Sequence, residues 1–142
     1  MAVLRYSFMF ILSGYNNMFA REKYINLRTF KKDCGAVDTP LWFVTFPERP
    51  DKFFAFTNCT SGKIKRIKNN NAAEICACDY KGKPKTPWKS ATVYQSEKIS
   101  DYSMVIGTCK KKYGWQMHLL EFFSAAFKRR KNRAIIEIQV RS

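Results

Sequence analysis

From residue 24 to residue 30 the chain alternates, with Tyr24, Asn26, Arg28 and Phe30 on one side and Ile25, Leu27 and Thr29 on the other. A two-residue period of this kind predicts a half-buried strand. A turn is expected at Asp33, Cys34 and Gly35, with the glycine taking the positive φ of a tight turn. Residues 37–46 read as a second strand, 47–51 with their two prolines as a turn, and 52–57 as a third strand. Connections this short imply antiparallel neighbours.

The period then changes. Ser61 is suited to cap a helix over 61–70, whose apolar side carries Ile64 and Ile67, three positions apart. Residues 72–79 return to a strand, Lys81, Gly82 and Lys83 turn, and 87–95 extend again. Over 100–112 the spacing predicts a helix with Tyr102, Val105, Ile106 and Cys109 on one face. Lys110, Lys111 and Lys112 suit the negative end of its dipole, and Gly114 stops it. A second helical segment is expected over 115–127 and a closing strand over 134–140, with Ile136, Ile138 and Val140 on one face. Six strands and a few short helices predict a mainly β protein, a closed or nearly closed six-stranded antiparallel β-barrel.

At 142 residues the chain is long enough for one domain with a real core, and 46% apolar with 15% aromatic residues argues for folding. A formal charge of +15 attracts anions: nucleic acid, acidic lipid or a phosphorylated cofactor. Five cysteines without a regular framework suit a reducing compartment, and a cytoplasmic protein is expected. The apolar stretch 3–12 is too short to span a bilayer and is broken by Arg5 and Ser7, so no membrane association is expected. Residues 1–18 read as an N-terminal extension or a misplaced start, with Met18 the alternative start, and 19–142 as the barrel domain.

The run from Lys63 to Lys68 places four cations in six positions. On a helix whose buried side is Ile64 and Ile67, Lys63 and Lys68 flank that side, while Lys65 and Arg66 point largely outward. Lys63 falls in the first turn, beside free N–H groups and the positive end of the dipole, where Ser61 can offer a hydroxyl to an anion. Three readings stay open on geometry: a solvated face, a phosphate cradle, and a nucleic-acid surface including the basic segment 128–133. The aromatic residues fall mostly at core-like positions, which weakens the last.

Other chemistry is sparse. His118, the single histidine, gives a zinc site or a Ser-His-Asp triad little to build on and reads as a packing or surface residue. Cys76 and Cys78 share one strand face and read as small buried hydrophobes; Cys34, Cys59 and Cys109 carry no signal. No acidic pair is placed for acid–base work, so no catalytic residue is assigned.

The motifs Tyr24-x-x-Leu27-x-Thr29-Phe30, Thr39-Pro40-x-Trp42-Phe43-Val44, Lys63-x-Lys65-Arg66-Ile67, Cys78-Asp79-x-x-Gly82-Lys83 and Lys112-Tyr113-Gly114-Trp115 occur in this order. Together they resemble the pyridoxamine-phosphate-oxidase-like superfamily of flavin-binding split β-barrels, and within it the deazaflavin-dependent subgroup. The resemblance implies a homodimer that binds FMN or the deazaflavin coenzyme F420 and acts as an oxidoreductase on a small organic substrate. It implies that Thr57, Ser61 and Lys63 hold the cofactor phosphate, with Lys65 and Arg66 close by. Pro40, Leu41 and Trp42 would then run past the ring system. Tyr113 and Trp115 are candidates for the pocket wall or for plain helix-end packing. Pro40 and Thr45 stand where true pyridoxamine-phosphate oxidases carry an arginine and a lysine, and the C-terminal motif for the substrate phosphate is missing, so vitamin B6 oxidation is not implied. The alternatives are a non-catalytic module binding flavin, deazaflavin or haem, and a basic nucleic-acid-binding barrel, although no specific nucleic acid is expected.

Overall fold

The computed structural model of the chain describes residues 19, 21–58, 61–96, 99–126 and 133–141. The extension 1–18, Cys59 and the basic residues 128–131 lie outside them. The elements run β1 (Tyr24–Phe30), β2 (Ala36–Trp42), β3 (Val44–Phe46), β4 (Arg49–Asn58), α1 (Gly62–Asn69), β5 (Ala72–Cys78), β6 (Lys89–Ser96), α2 (Ile99–Tyr113), α3 (Trp115–Ala126) and β7 (Arg133–Val140). All strand pairs are antiparallel, in the order β2-β1-β5-β6-β7-β4-β3. Pro40 lies on the edge strand β2, where its missing N–H spoils no inner ladder.

The two edge strands, β2 and β3, are consecutive in the chain and joined at Phe43, so the sheet returns to its own start. The single strand expected over 37–46 is therefore two, and seven strands stand where six were expected. The cause is local. Phe43 is fully buried, and its N–H donates to the Tyr113 hydroxyl at 3.0 Å. That hydroxyl lies 2.9 Å from the Phe43 carbonyl and 2.7 Å from the Lys23 carbonyl, and Lys112 Nζ donates to the Phe43 carbonyl at 3.0 Å. Side chains thus satisfy the backbone where it leaves one partner strand for another. Trp42 stacks on the Tyr113 ring, with centroids 4.4 Å apart and planes 9° apart.

Two cores result. The barrel interior takes the inward residues Ile25 and Leu27 of β1, Phe53 of β4, and Ile136 and Ile138 of β7, sealed by Phe19, which meets Phe53 edge-on at 5.2 Å. The second core lies beneath the helices, where Val105, Ile106, Cys109 and Met117 pack on Phe54 and Ile135. β4 and β7 thus bury both faces, which explains their near-continuous apolar runs. At the first turn the positive φ belongs to Cys34 (68°), not to Gly35 as expected. Asp33 Oδ1 accepts the Gly35 N–H at 2.9 Å, so the aspartate shapes this turn and glycine is not required for its left-handed residue. Gly114 does take positive φ (58°), separating α2 from α3. Among the described residues no helix is long and apolar enough to cross a membrane.

Candidate functional site

Helix α1 follows β4 and buries Ile64 and Ile67 in the barrel core, which fixes the direction of every other side chain on it. Ser61 sits at the N-cap with extended dihedrals (φ −67°, ψ 154°), as its sequence position predicts. Its hydroxyl, however, makes no capping bond, and Ser61 Oγ is buried without a partner. The first turn contains no acidic residue.

The cations divide sharply. Lys65 and Lys68 are exposed, whereas Lys63 and Arg66 are half-buried. Burial holds the Lys63 ammonium below the ordinary lysine range, and repulsion from Arg66 lowers it further. Arg66 corrects the expected outward orientation. Its Nε donates to Thr29 Oγ1 at 2.7 Å, and its Nη1 lies 2.8 Å from where a Cβ on Gly62 would stand. The side chain is folded back over the first turn because the buried Thr29 hydroxyl offers an acceptor that solvent-facing geometry ignores. Among the described residues no carboxylate forms an ion pair with Lys63, Lys65, Arg66 or Lys68. Two cations at the positive end of a helix dipole oppose it by about 0.3–1 kcal/mol each. A local cost of this kind, with no carboxylate among the described residues to offset it, is the kind of departure found at binding sites.

The remaining predicted residues spread along the barrel. Thr57 is on the inner face of β4, nearly buried and opposite Ala134. Pro40 pairs with Asn26, Leu41 enters the core, and Trp42 is held against Tyr113. Thr29 pairs with Val37, so Pro40 lies three residues along β2 from that register, about 10 Å away at the usual strand rise. The structure thus gathers Ser61, Lys63 and Arg66, sends Lys65 to solvent, and leaves Pro40 to Trp42 farther along the sheet. Thr29 and Gly62 were missed from sequence. The signals were a threonine closing the otherwise apolar row Ile25, Leu27, and a glycine four residues before an arginine in a new helix.

Around Asn26 the outer face of the sheet is also covered. Asn26 Nδ2 donates to the Gly82 carbonyl at 2.7 Å, while its Oδ1 is buried without a partner. Gly82 takes φ 91°, and a Cβ there would come 3.4 Å from Asn26 Nδ2 and 3.7 Å from Pro40 Cδ. Cys76 and Cys78 are fully buried, and burial pushes their thiols up to about 11 and about 12, so they are inert packing groups. Among the described residues no cluster of three or more His, Cys, Asp or Glu is placed for a metal. His118 is exposed, as is Trp115 at 72%, and Tyr113 belongs to the Phe43 corner. An open groove of about 440 Å³ lies beyond the carboxyl end of α1, lined by Asn70, Asn71, Tyr94 and Gln95 among others.

No family model matches the chain, and no curated protein does. Solved structures do match. The haem storage protein HutZ from Vibrio cholerae superposes with a TM-score of 0.65 at 12% identity, covering 92% of this chain and 89% of that one. A candidate pyridoxamine 5′-phosphate oxidase from Listeria innocua gives 0.62 at 9% identity, covering 93% and 94%. An F420 reductase gives 0.55 at 15% identity, covering 91% and 94%. At such identities the likeness is one of fold, and it spans nearly all of each chain. The protein has the split-barrel fold of the pyridoxamine 5′-phosphate oxidase-like proteins.

Proposed function

We propose that this protein is a homodimeric oxidoreductase that binds F420 or FMN and acts on a small organic substrate. The observation that carries this reading is the amino end of α1, where half-buried Lys63 and Arg66 stand with the unpartnered Ser61 hydroxyl and, among the described residues, no carboxylate paired to them. A ribityl phosphate supplies what that end lacks, an acceptor for a hydroxyl and a counter-charge for two cations. Ser61, Lys63 and Arg66 would hold it, with Thr57 and Lys65 as the outer members of the expected set. Pro40, Leu41 and Trp42 lie along the edge strand where the ring would run. When bound, the coenzyme supplies hydride chemistry, and the residues around it bind and orient it. The likeness to an F420 reductase and to a candidate pyridoxamine 5′-phosphate oxidase supports this reading.

The likeness to HutZ supports a second reading, a module that stores or carries a ring-bearing cofactor without turnover. Titration of the purified protein with F420, FMN and haem, followed by absorption, tests both. Micromolar binding of F420 or FMN, with turnover on a panel of quinones, enones and nitro compounds, supports the oxidoreductase. Tight haem binding with neither flavin bound overturns it. Native mass tests the dimer, and a steep loss of RNA affinity with salt marks nucleic-acid attraction as nonspecific.

A further inference from the structure

We propose that Thr29 and Gly62 are positioning residues that aim the Arg66 guanidinium at the amino end of α1 and so make the site selective for a phosphorylated coenzyme over its phosphate-free form. This rests on the reading of that end as the cofactor's anion site. Thr29 is the last inward-facing residue of β1, 1% exposed, in the row that begins with Ile25 and Leu27. Valine has nearly the same shape and would suit an apolar row, so the hydroxyl is the informative part. It accepts from Arg66 Nε at 2.7 Å. Tying Nε fixes the guanidinium plane and leaves the two Nη groups as a fork, the geometry that matches phosphate bidentately.

Gly62 completes the device through space, not backbone freedom. Positive φ among the described glycines belongs only to Gly82 and Gly114, so the Gly62 backbone is one that any residue adopts. A methyl at Gly62 would sit 2.8 Å from Arg66 Nη1, 3.7 Å from Cζ and 3.9 Å from Nη2, touching no other residue this closely. The atom that must move is the tip of a flexible side chain. Alanine at position 62 therefore displaces the guanidinium while leaving the fold alone, and alanine is the better helix former. Lys63 stands beside Arg66, so the two cations together present donors to one phosphate group, and the unpartnered Ser61 hydroxyl stands at the same helix end.

The test compares ligands that share a ring: FMN against riboflavin, which differ only by the phosphate, and F420 against its phosphate-free ribityl deazaflavin, which also lacks the chain esterified to that phosphate. The wild-type protein should prefer the phosphorylated member of at least one pair by tenfold or more. Thr29→Val and Gly62→Ala should each cut that preference about tenfold, the strength of a charged hydrogen bond, without changing affinity for the phosphate-free ring. Thr29→Ser should restore the preference, and the melting temperature of Gly62→Ala should equal or exceed wild type. A preference lost in Lys63→Ala but kept in Gly62→Ala and Thr29→Val overturns the positioning role and leaves the anion site standing. No preference in the wild-type protein overturns both.

Discussion

Lys112 and Lys63 stand near opposite ends of β1, and both have ammonium groups drawn partly out of water, yet their surroundings differ. Much of the Lys112 residue is exposed, but its Nζ donates to the Phe43 carbonyl and sits 3.4 Å above the Phe43 ring centroid. Burial holds it down to about 8, with Cys109 and Glu22 pulling the other way. Lys63 is half-buried against a second cation, and no carboxylate among the described residues pairs with it. Arg28 on the outer face repeats the first pattern, bidentate to Asp38 at 2.8 and 3.1 Å and 3.8 Å above the Trp88 ring. A cation answered within the chain holds the fold together. One with no carboxylate partner among the described residues, at a helix amino end, is the site we propose for an anion. Charge counting cannot separate the two, because all three residues look alike in a sequence of net charge +15.

The largest effect should come from the answered end. Tyr113→Phe leaves the buried Phe43 N–H without an acceptor and strips a donor shared by two carbonyls, so stability should fall by about 2–4 kcal/mol in urea denaturation. Coenzyme affinity measured under folding conditions should be unchanged; a selective loss of affinity would erase the contrast between the two ends. Lys63→Ala should do the reverse. Coenzyme binding should weaken by about 1.5–3 kcal/mol, while stability without ligand holds or rises slightly as a charge opposing the helix dipole is removed. A destabilised Lys63→Ala that binds normally would make Lys63 structural.

A smaller effect concerns alkaline pH, where two sets of groups pull in opposite directions. Burial pushes the thiols of Cys76 to about 11 and of Cys78 and Cys109 to about 12, from an ordinary value of 9.0. The unfolded chain loses these protons first, so the stability they contribute is present below about pH 9 and falls as pH climbs through 9–12. Lys112 runs the other way. Its folded value lies below its ordinary 10.5, the unfolded chain binds more protons between about 8 and 10.5, and stability gains across that window. Solvent screening limits the lysine contribution to about 1 kcal/mol. Stability should therefore decline above pH 9, more steeply in Lys112→Met and less steeply in Cys109→Ala, as read from urea midpoints between pH 7.5 and 10.5. Equal slopes in all three would discount the corner's electrostatics. The smallest effect is expected at exposed Lys65, where alanine should change coenzyme affinity by less than about 0.5 kcal/mol.

Much of this molecule was legible before any coordinates. The alternation in β1, the Ile64 and Ile67 pair of α1, and the apolar face of α2 depend on neighbours a few residues away, and the structure keeps all three. Local chemistry also placed Ser61 at the N-cap and Gly114 at the break between α2 and α3. The break at Phe43 was not legible, because 37–46 is patterned as one strand. The group that interrupts it is a hydroxyl 70 residues away in sequence.

Arg66 shows the same limit at the site. Helical geometry turns it toward water, and only the arrival of Thr29, 37 residues earlier in sequence, gives its Nε a buried acceptor and turns it back over Gly62. Periodicity records which way a side chain leaves the backbone. Whether a partner waits there depends on contacts made across the barrel, and a flexible arginine follows the partner because a satisfied hydrogen bond outweighs its rotamer preference. The succession of strands and helices along the chain, the apolar helix faces and the wealth of cations were thus properties of the chain as written. The division of those cations into structural ones and a candidate anion site was made by the fold, which supplied acceptors to Lys112 and Arg28 and, among the described residues, paired no carboxylate with Lys63.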